Sequence, residues 1–167
     1  MDMESYLKQA EDLLSPVSDQ ISRPASYRVD AVVSVDKLVP AAKIMTDAKW
    51  GYLSAITGLD KPAPVSEEGE KPGENHLEIL YHFCNGPAIT TLRLTIPYSK
   101  AVISTVCGVI PMATLYEREL IEMFGITIED TPNTDKLLLP DDWPAGVYPL
   151  RKEFIGFATK PAKGEGE

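Results

Sequence analysis

Two histidines and a cysteine near the middle of the sequence are the residues whose types and spacing could support catalysis. His76, His82 and Cys84 fall on or beside a predicted strand, where side chains an even number of positions apart share a face. A thiol beside an imidazole could act as a nucleophile, and the two imidazoles with Glu78 could begin a metal site. Neither an oxyanion hole nor a fourth ligand is evident. We therefore interpret the histidines as part of a solvated or packed strand face and Cys84 as a small buried or edge cysteine. A standalone cysteine- or metal-dependent enzyme is the alternative function.

Other patterns that carry chemistry are missing from the sequence. The glycines do not form a phosphate-binding loop such as Gly-x-Gly-x-x-Gly. Glu117 and Glu119 are two positions apart on a predicted helix and so point about 200° apart, which disfavours a carboxylate pair. Cys107 lies in an apolar run and is predicted to belong to the core. The sequence thus predicts no catalytic site, bound cofactor or metal of its own.

Composition narrows the class of protein. The chain has 167 residues, of which 44% are hydrophobic and 25% charged, values typical of one globular domain. A net charge of −9 disfavours a generic nucleic-acid surface. Two cysteines far apart in sequence do not form a disulfide framework, and a reducing cytoplasm is expected. Every apolar run is shorter than the roughly 18 residues of a membrane span, and the acidic N-terminus is unlike a secretory signal.

Hydrophobic periodicity predicts an α+β fold, a two-layer domain with a mixed, largely antiparallel sheet. The predicted helices are 4–15, 36–47 and 115–124, and the predicted strands are 27–35, 50–57, 77–83 and 88–96. The stretch 99–109 is compatible with either a helix or a fifth strand. The stretch 61–75 is rich in proline, glycine and glutamate and is predicted to be a mobile loop.

Turn and cap residues place several boundaries. Gly58 is predicted to end its strand, and Pro87 argues against a tight two-residue turn between the next two strands. Thr114 is predicted to cap the last helix, with Glu117 completing a capping box. Gly125 is predicted to end that helix in a left-handed turn.

After the last helix the chain becomes irregular and rich in proline. We therefore predict an α+β domain over 1–126 that is followed by an irregular, extended C-terminal part. This part consists of a partner-binding segment over 127–154 and a flexible tail over 155–167. The middle segment carries leucines, tryptophan, tyrosine and phenylalanine. Apolar strips of this kind usually lie on a partner, with aromatic side chains as anchors.

Two motifs in the last third of the chain are specific in combination. The first is Glu117-Arg118-Glu119, then Glu122 and, after two apolar residues, Gly125-Ile126; the second is Pro-Leu-Arg-Lys-Glu-Phe over 149–154. Together they resemble the 30 kDa subunit of respiratory complex I and its relatives in membrane-bound, energy-converting nickel–iron (NiFe) hydrogenases. The similarity extends from about Trp50 to Phe154. The stretch 143–148 is more similar to the hydrogenase branch, and Thr131-Pro132 replaces a His-Pro pair of many complex I members.

The resemblance implies a non-catalytic hydrophilic accessory subunit of a membrane-associated redox complex. Its partner would be the large catalytic subunit of the hydrogenase or complex I 49 kDa type, with the small iron–sulfur subunit nearby. The expected location is cytoplasmic and peripheral to the membrane, without cofactor, nucleic acid or membrane span. A free-standing binding module is a third possibility. The residues predicted at the partner interface are Glu117, Arg118, Glu119, Glu122, Trp143, Tyr148, Arg151, Lys152 and Phe154.

Overall fold

The computed structural model of the chain describes residues 2–63 and 73–156. Most of the predicted mobile loop, 61–75, and all but two residues of the predicted tail, 155–167, lie outside the described residues.

Three helices form close to the predicted positions. They are α1 (Met3–Leu14), α2 (Leu38–Asp47) and α3 (Ala113–Phe124). Asp2 caps α1 because its side chain accepts a hydrogen bond from the Ser5 N–H. Leu7, Ala10 and Leu14 recur at helical spacing and are fully buried, so α1 packs one apolar stripe on the sheet.

The main sheet has five strands in the order β1-β2-β5-β4-β3. The strands are β1 (Gln20–Ala25), β2 (Arg28–Val32), β3 (Tyr52–Lys61), β4 (His76–Asn85) and β5 (Ala88–Pro97). β2 and β5 run parallel and every other neighbouring pair is antiparallel. The prediction of a mixed, largely antiparallel sheet is confirmed.

Alternation along the strands separates a core face from an outer face. Leu77, Ile79 and Tyr81 of β4 are fully buried and share one core with residues of all three helices. The helices therefore form one layer and the sheet the other, as predicted.

The outer face of the sheet is crossed by a row of ion pairs. Arg28 and Arg93 both bind the carboxylate of Asp30, at 2.5 and 2.8 Å, and Arg93 also pairs with Glu78. Asp30 is only 2% exposed. These charges satisfy one another across three strands, so the polar face is held by contacts within the chain.

A short second sheet resolves the ambiguous stretch 99–109. The chain forms a 3₁₀ turn over Tyr98–Lys100, then β6 (Val102–Ser104), then turns up to α3. β6 pairs in parallel with β7 (Thr127–Glu129), which follows α3. The stretch thus contains a strand, and its partner strand lies beyond the last helix.

Three predicted boundaries were wrong. Gly58 lies inside β3. Glycine is needed there for close packing rather than for a strand end, because a Cβ would stand 2.5 Å from a ring carbon of Phe124. β4 and β5 are joined by a tight turn after all, since Gly86 takes a φ of +57° and Pro87 follows it within the turn. Thr114 does not cap α3; the N-cap is Met112, without a side-chain hydrogen bond.

Candidate functional site

The segment that follows β7, residues 130–154, is called the strap here. It contains no regular helix or strand, yet it lies along α3 and is held there by hydrogen bonds from both motifs. Its path is therefore set by particular side chains rather than by repeating backbone structure.

Glu117 anchors the start of the strap from inside the domain. Its Oε1 accepts from the Val106 N–H at 2.8 Å, and its Oε2 accepts from the hydroxyls of Thr105 at 2.7 Å and Thr131 at 2.9 Å. The Cys107 thiol also donates to Oε2, at 3.3 Å. The Glu117 side chain thus joins α3 to the turn after β6 and to the strap rather than completing a capping box. Because the residue is 0% exposed, a direct contact between Glu117 and a partner does not fit this structure.

Arg118 and Glu122 bind the middle of the strap rather than each other. Arg118 donates from Nε and Nη2 to the backbone carbonyls of residues 135 and 136, at 2.7 and 2.6 Å. Glu122 accepts the backbone N–H groups of residues 137 and 138 on its two oxygens, at 2.5 and 2.9 Å. A cation and an anion on one face of α3 therefore bind one backbone group on each of four consecutive residues of the strap.

The second motif binds the C-terminal end of α3. The Leu150 N–H donates to the Met123 carbonyl at 3.2 Å, and Arg151 donates from Nε to the Phe124 carbonyl at 2.8 Å. Carbonyl groups in the last turn of a helix lack partners within the helix and carry its negative partial charge. The two motifs predicted from the sequence therefore bind each other.

Asp60 on β3 completes this attachment. The Asp60 carboxylate accepts from the Lys152 backbone N–H at 2.7 Å and from the Tyr98 hydroxyl. Burial, and then the hydrogen bond to Asp60, raise the pKa of Tyr98. The central carbon of the Arg151 guanidinium lies over two aromatic rings, 4.3 Å from the centre of Tyr98 and 4.7 Å from that of Tyr148. The Asp60–Lys152 hydrogen bond fixes the strap to β3, and the Arg151–Tyr98 contact fixes it to the turn after β5, in addition to its attachment to α3.

Gly125 is required where the strap crosses the end of α3. It takes a φ of +67°, as predicted, which favours glycine. A Cβ at Gly125 would also stand 2.2 Å from the Cζ of Tyr148. The Tyr148 ring therefore covers the helix terminus and is part of the domain's own packing.

The other aromatic residues of the strap pack within it. Trp143 donates from Nε1 to the Val147 carbonyl at 2.8 Å, and its ring centre lies 6.0 Å from that of Phe154. Lys136 donates from Nζ to the Pro140 carbonyl at 2.8 Å. The strap is thus a folded loop with its own internal contacts.

A smaller set of residues takes no part in these anchoring contacts. Glu119 has neither a hydrogen bond nor an ion pair within the part of the chain that the structure describes, unlike the other acidic residues of its motif. Leu138, Leu150 and Ile155 expose 61%, 52% and 97% of their surface. Of these residues, Leu138 and Leu150 lie on the strap, whereas Glu119 lies on α3 and Ile155 follows the strap directly.

The residues of the alternative enzyme lie on β4, where His76 is the first residue and where His82 and Cys84 contact neighbouring strands. His82 places Nδ1 3.0 Å from the Thr91 hydroxyl, and burial lowers the pKa of His82. The Cys84 thiol donates to the Ser54 hydroxyl at 3.3 Å, so the thiol–imidazole contact that the enzyme requires is not formed. Across residues 2–63 and 73–156, no group of three or more histidine, cysteine, aspartate or glutamate residues is placed to hold a metal.

Sequence reasoning missed four residues that build the site. Asp60 and Tyr98 hold the end of the strap, and Thr105 and Thr131 hold Glu117. One indication was available for Asp60, because an acidic residue in register with core positions of a strand needs buried partners. The two threonines and the tyrosine have no local pattern that would identify them.

The structure thus defines a small two-layer domain whose C-terminal strap is fixed along its last helix, and no described helix is long and apolar enough to cross a membrane. Residues 31–160 match the model of the family described as respiratory-chain NADH dehydrogenase, 30 Kd subunit, and the chain belongs to this family. The resemblance predicted from the motifs is confirmed.

The relatives belong to several kinds of redox complex. The chain is 30% identical over 139 residues to the C subunit of the F(420)H(2) dehydrogenase of Methanosarcina mazei, with 81% of each chain covered. It is 32% identical over 116 residues to the beta subunit of the membrane-bound hydrogenase of Pyrococcus furiosus, covering 66% of this chain and 67% of that one. The prediction of an accessory subunit of a complex of the complex I or energy-converting hydrogenase type is confirmed.

Two solved structures share the fold. A chain of the archaeal membrane-bound sulfane sulfur reductase superimposes with a TM-score of 0.66 at 24% identity, covering 90% of this chain and 84% of that one. A trypsin-resistant fragment of Nqo5 superimposes with a TM-score of 0.55 at 19% identity, covering 80% and 99%. These similarities support the predicted α+β class.

Proposed function

We propose that this chain braces the large catalytic subunit of its complex and performs no chemistry itself. The strap surface, with Glu119 beside it, would contact a large subunit of the hydrogenase or complex I 49 kDa type. The small iron–sulfur subunit would lie nearby, at the cytoplasmic side of the membrane. The observation that carries this proposal is that the polar and the apolar residues of the strap have different surroundings. Its polar anchors are satisfied within the chain, whereas Leu138 and Leu150 are more than half exposed.

Exposed leucines on a fixed segment favour a protein partner. Single exposed apolar residues are common on any surface, but here they lie on a strap held in place by bonds from α3 and β3. A pre-ordered segment loses little conformational freedom on binding. Glu119, which has no partner among the described residues, would meet a basic group, and such a pair fixes orientation more than affinity.

Fused relatives support the choice of partner. The C/D subunit of the NADH-quinone oxidoreductase of Rhodopseudomonas palustris is 32% identical over 116 residues, and the match spans 19% of its length. A counterpart of this chain is therefore one part of a longer polypeptide whose name joins C and D. Fusion raises the effective concentration of the two parts for each other, which suits a domain that works beside a D-type subunit.

The test replaces the exposed leucines in the intact complex. We expect the double variant Leu138→Asp with Leu150→Asp to dissociate from the large subunit on native gels, because carboxylates cannot be buried in an apolar contact without a large cost. The backbone N–H groups that anchor both residues are retained, so the subunit should keep its circular dichroism spectrum and its melting temperature.

Tyr27→Asp is the matched control, because Tyr27 is 48% exposed on the turn between β1 and β2, outside the strap. This variant should remain in the complex. Co-migration of the Leu138/Leu150 variant with the large subunit would contradict the proposed function.

A further inference from the structure

Arg151 stands out among the cations of the strap because its side chain is enclosed. Its side chain is only 13% exposed, and its guanidinium lies over the rings of both Tyr98 and Tyr148. We propose that Arg151 is a positioning residue, whose guanidinium closes a clasp that fixes the strap on the domain before any partner binds. The clasp comprises Arg151, the two tyrosine rings, Asp60 and the carbonyl end of α3.

The clasp joins three parts of the molecule at one side chain. Tyr98 lies in the 3₁₀ turn after β5, Tyr148 lies on the strap, and the Phe124 carbonyl that accepts from Arg151 Nε ends α3. A cation over an aromatic face is attracted by the ring quadrupole, more strongly where water is excluded. The same cation is favoured at the negative end of the helix dipole. The contact with Tyr98 and the interaction with the end of α3 are both lost if the strap leaves the domain, whereas Tyr148 moves with Arg151.

The chemistry of the clasp requires arginine rather than a positive charge alone. A guanidinium is planar, so it can stack on two rings while Nε donates in its own plane to the Phe124 carbonyl. A lysine ammonium is compact and strongly hydrated, and it cannot occupy both faces in this way. The arrangement therefore predicts that Arg151→Lys does not close the clasp and loosens the strap as much as removal of the side chain does.

The consequence for assembly rests on the proposed function. With the clasp closed, Leu138 and Leu150 are presented in a fixed geometry, and the partner does not have to order the strap during binding. The neighbouring cation Lys152 would not replace Arg151 in this role. Lys152 contributes its backbone N–H to Asp60, and its side chain forms no hydrogen bond or ion pair with the described residues.

Hydrogen exchange of the isolated chain, followed by mass spectrometry, tests the clasp. In Arg151→Ala, peptides covering 148–154 should exchange at least tenfold faster. Without the guanidinium the end of the strap should leave the domain more often, which separates the Leu150 and Lys152 N–H groups from the Met123 carbonyl and the Asp60 carboxylate. Peptides from β4 and β5 should be unchanged and report global folding in the same experiment. Arg151→Lys should resemble Arg151→Ala.

Two matched controls separate the interactions. Lys152→Ala removes the neighbouring cation but keeps the backbone N–H, so exchange over 148–154 should match the unaltered chain. Tyr98→Phe removes the hydroxyl that donates to Asp60 but keeps the ring, so most of the protection should remain.

Unchanged exchange over 148–154 in Arg151→Ala, or full restoration by Arg151→Lys, would overturn the proposal. If Arg151→Ala unfolded the whole domain, Arg151→Met, which keeps the aliphatic stem and removes the guanidinium, would decide in the same way: faster exchange over 148–154 supports the clasp and no change overturns it. Failure of the proposed function would appear instead as retention of the Leu138/Leu150 variant in the complex, with the exchange result unaffected.

Discussion

Charged residues one to five positions apart on α3 take different roles in the structure. Glu117 is enclosed and binds hydroxyl, amide and thiol donors, whereas Arg118 and Glu122 bind the backbone of the strap. Glu119 takes part in none of these contacts. The sequence identified this group through its motif, but residue type and spacing cannot distinguish an internal anchor from a partner contact. That distinction depends on Thr131 and on residues 135–138, whose position is set by the tertiary fold.

The buried carboxylate of Glu117 leads to a prediction at the residue scale. Glu117→Ala should lower the free energy of unfolding by about 3 kcal/mol, because it leaves the Val106 N–H and the Thr105 and Thr131 hydroxyls without their acceptor. Urea denaturation followed by circular dichroism measures this change.

Glu119→Ala is the control for Glu117→Ala, since the two residues share a helix and a charge. Its free energy of unfolding should change by no more than about 0.5 kcal/mol. Equal destabilisation by the two substitutions would show that Glu117 does not act as an anchor.

At the scale of elements, periodic and buried segments were the predictable ones. α1 has apolar residues at helical spacing, and β4 and β5 have them at every second position. Each of these elements lies close to its predicted position. β1 was missed because it is an edge strand whose residues are mostly exposed, and such a strand has no apolar period. β7 was missed because three residues are too few to form a pattern, and its pairing with β6 is visible only in the fold.

The contact between β3 and α3 yields a prediction for these elements. Gly58→Ala should lower the free energy of unfolding by about 1–3 kcal/mol, because its Cβ would stand 2.5 Å from Phe124 and 3.0 Å from Leu120. Thermal and urea denaturation measure the effect. Gly108→Ala is the control, since a Cβ there would meet nothing within 4 Å, and its free energy of unfolding should stay within about 0.5 kcal/mol. A similar loss in both variants would show that the close contact with α3 is not its cause.

At the scale of the whole molecule, the strap and the domain are continuous. The division at residue 126, predicted from the change in composition, would separate β7 from its partner strand and Thr131 from Glu117. Composition changes where regular structure ends, but the domain's own contacts extend further along the chain. We therefore infer that the independently stable unit extends past β7, to about residue 132.

Two truncated chains test where the stable unit ends. A chain of residues 1–132 should have a free energy of unfolding about 3 kcal/mol higher than a chain of residues 1–126. It retains Ile128, which is 5% exposed and whose burial contributes about 2 kcal/mol, together with the Thr131 hydrogen bond to Glu117, which contributes about 1 kcal/mol. Both chains lack the rest of the strap, so urea denaturation of the pair isolates the contribution of residues 127–132. Equal free energies of unfolding would show instead that the domain ends at residue 126 and that β7 belongs to the partner-binding segment.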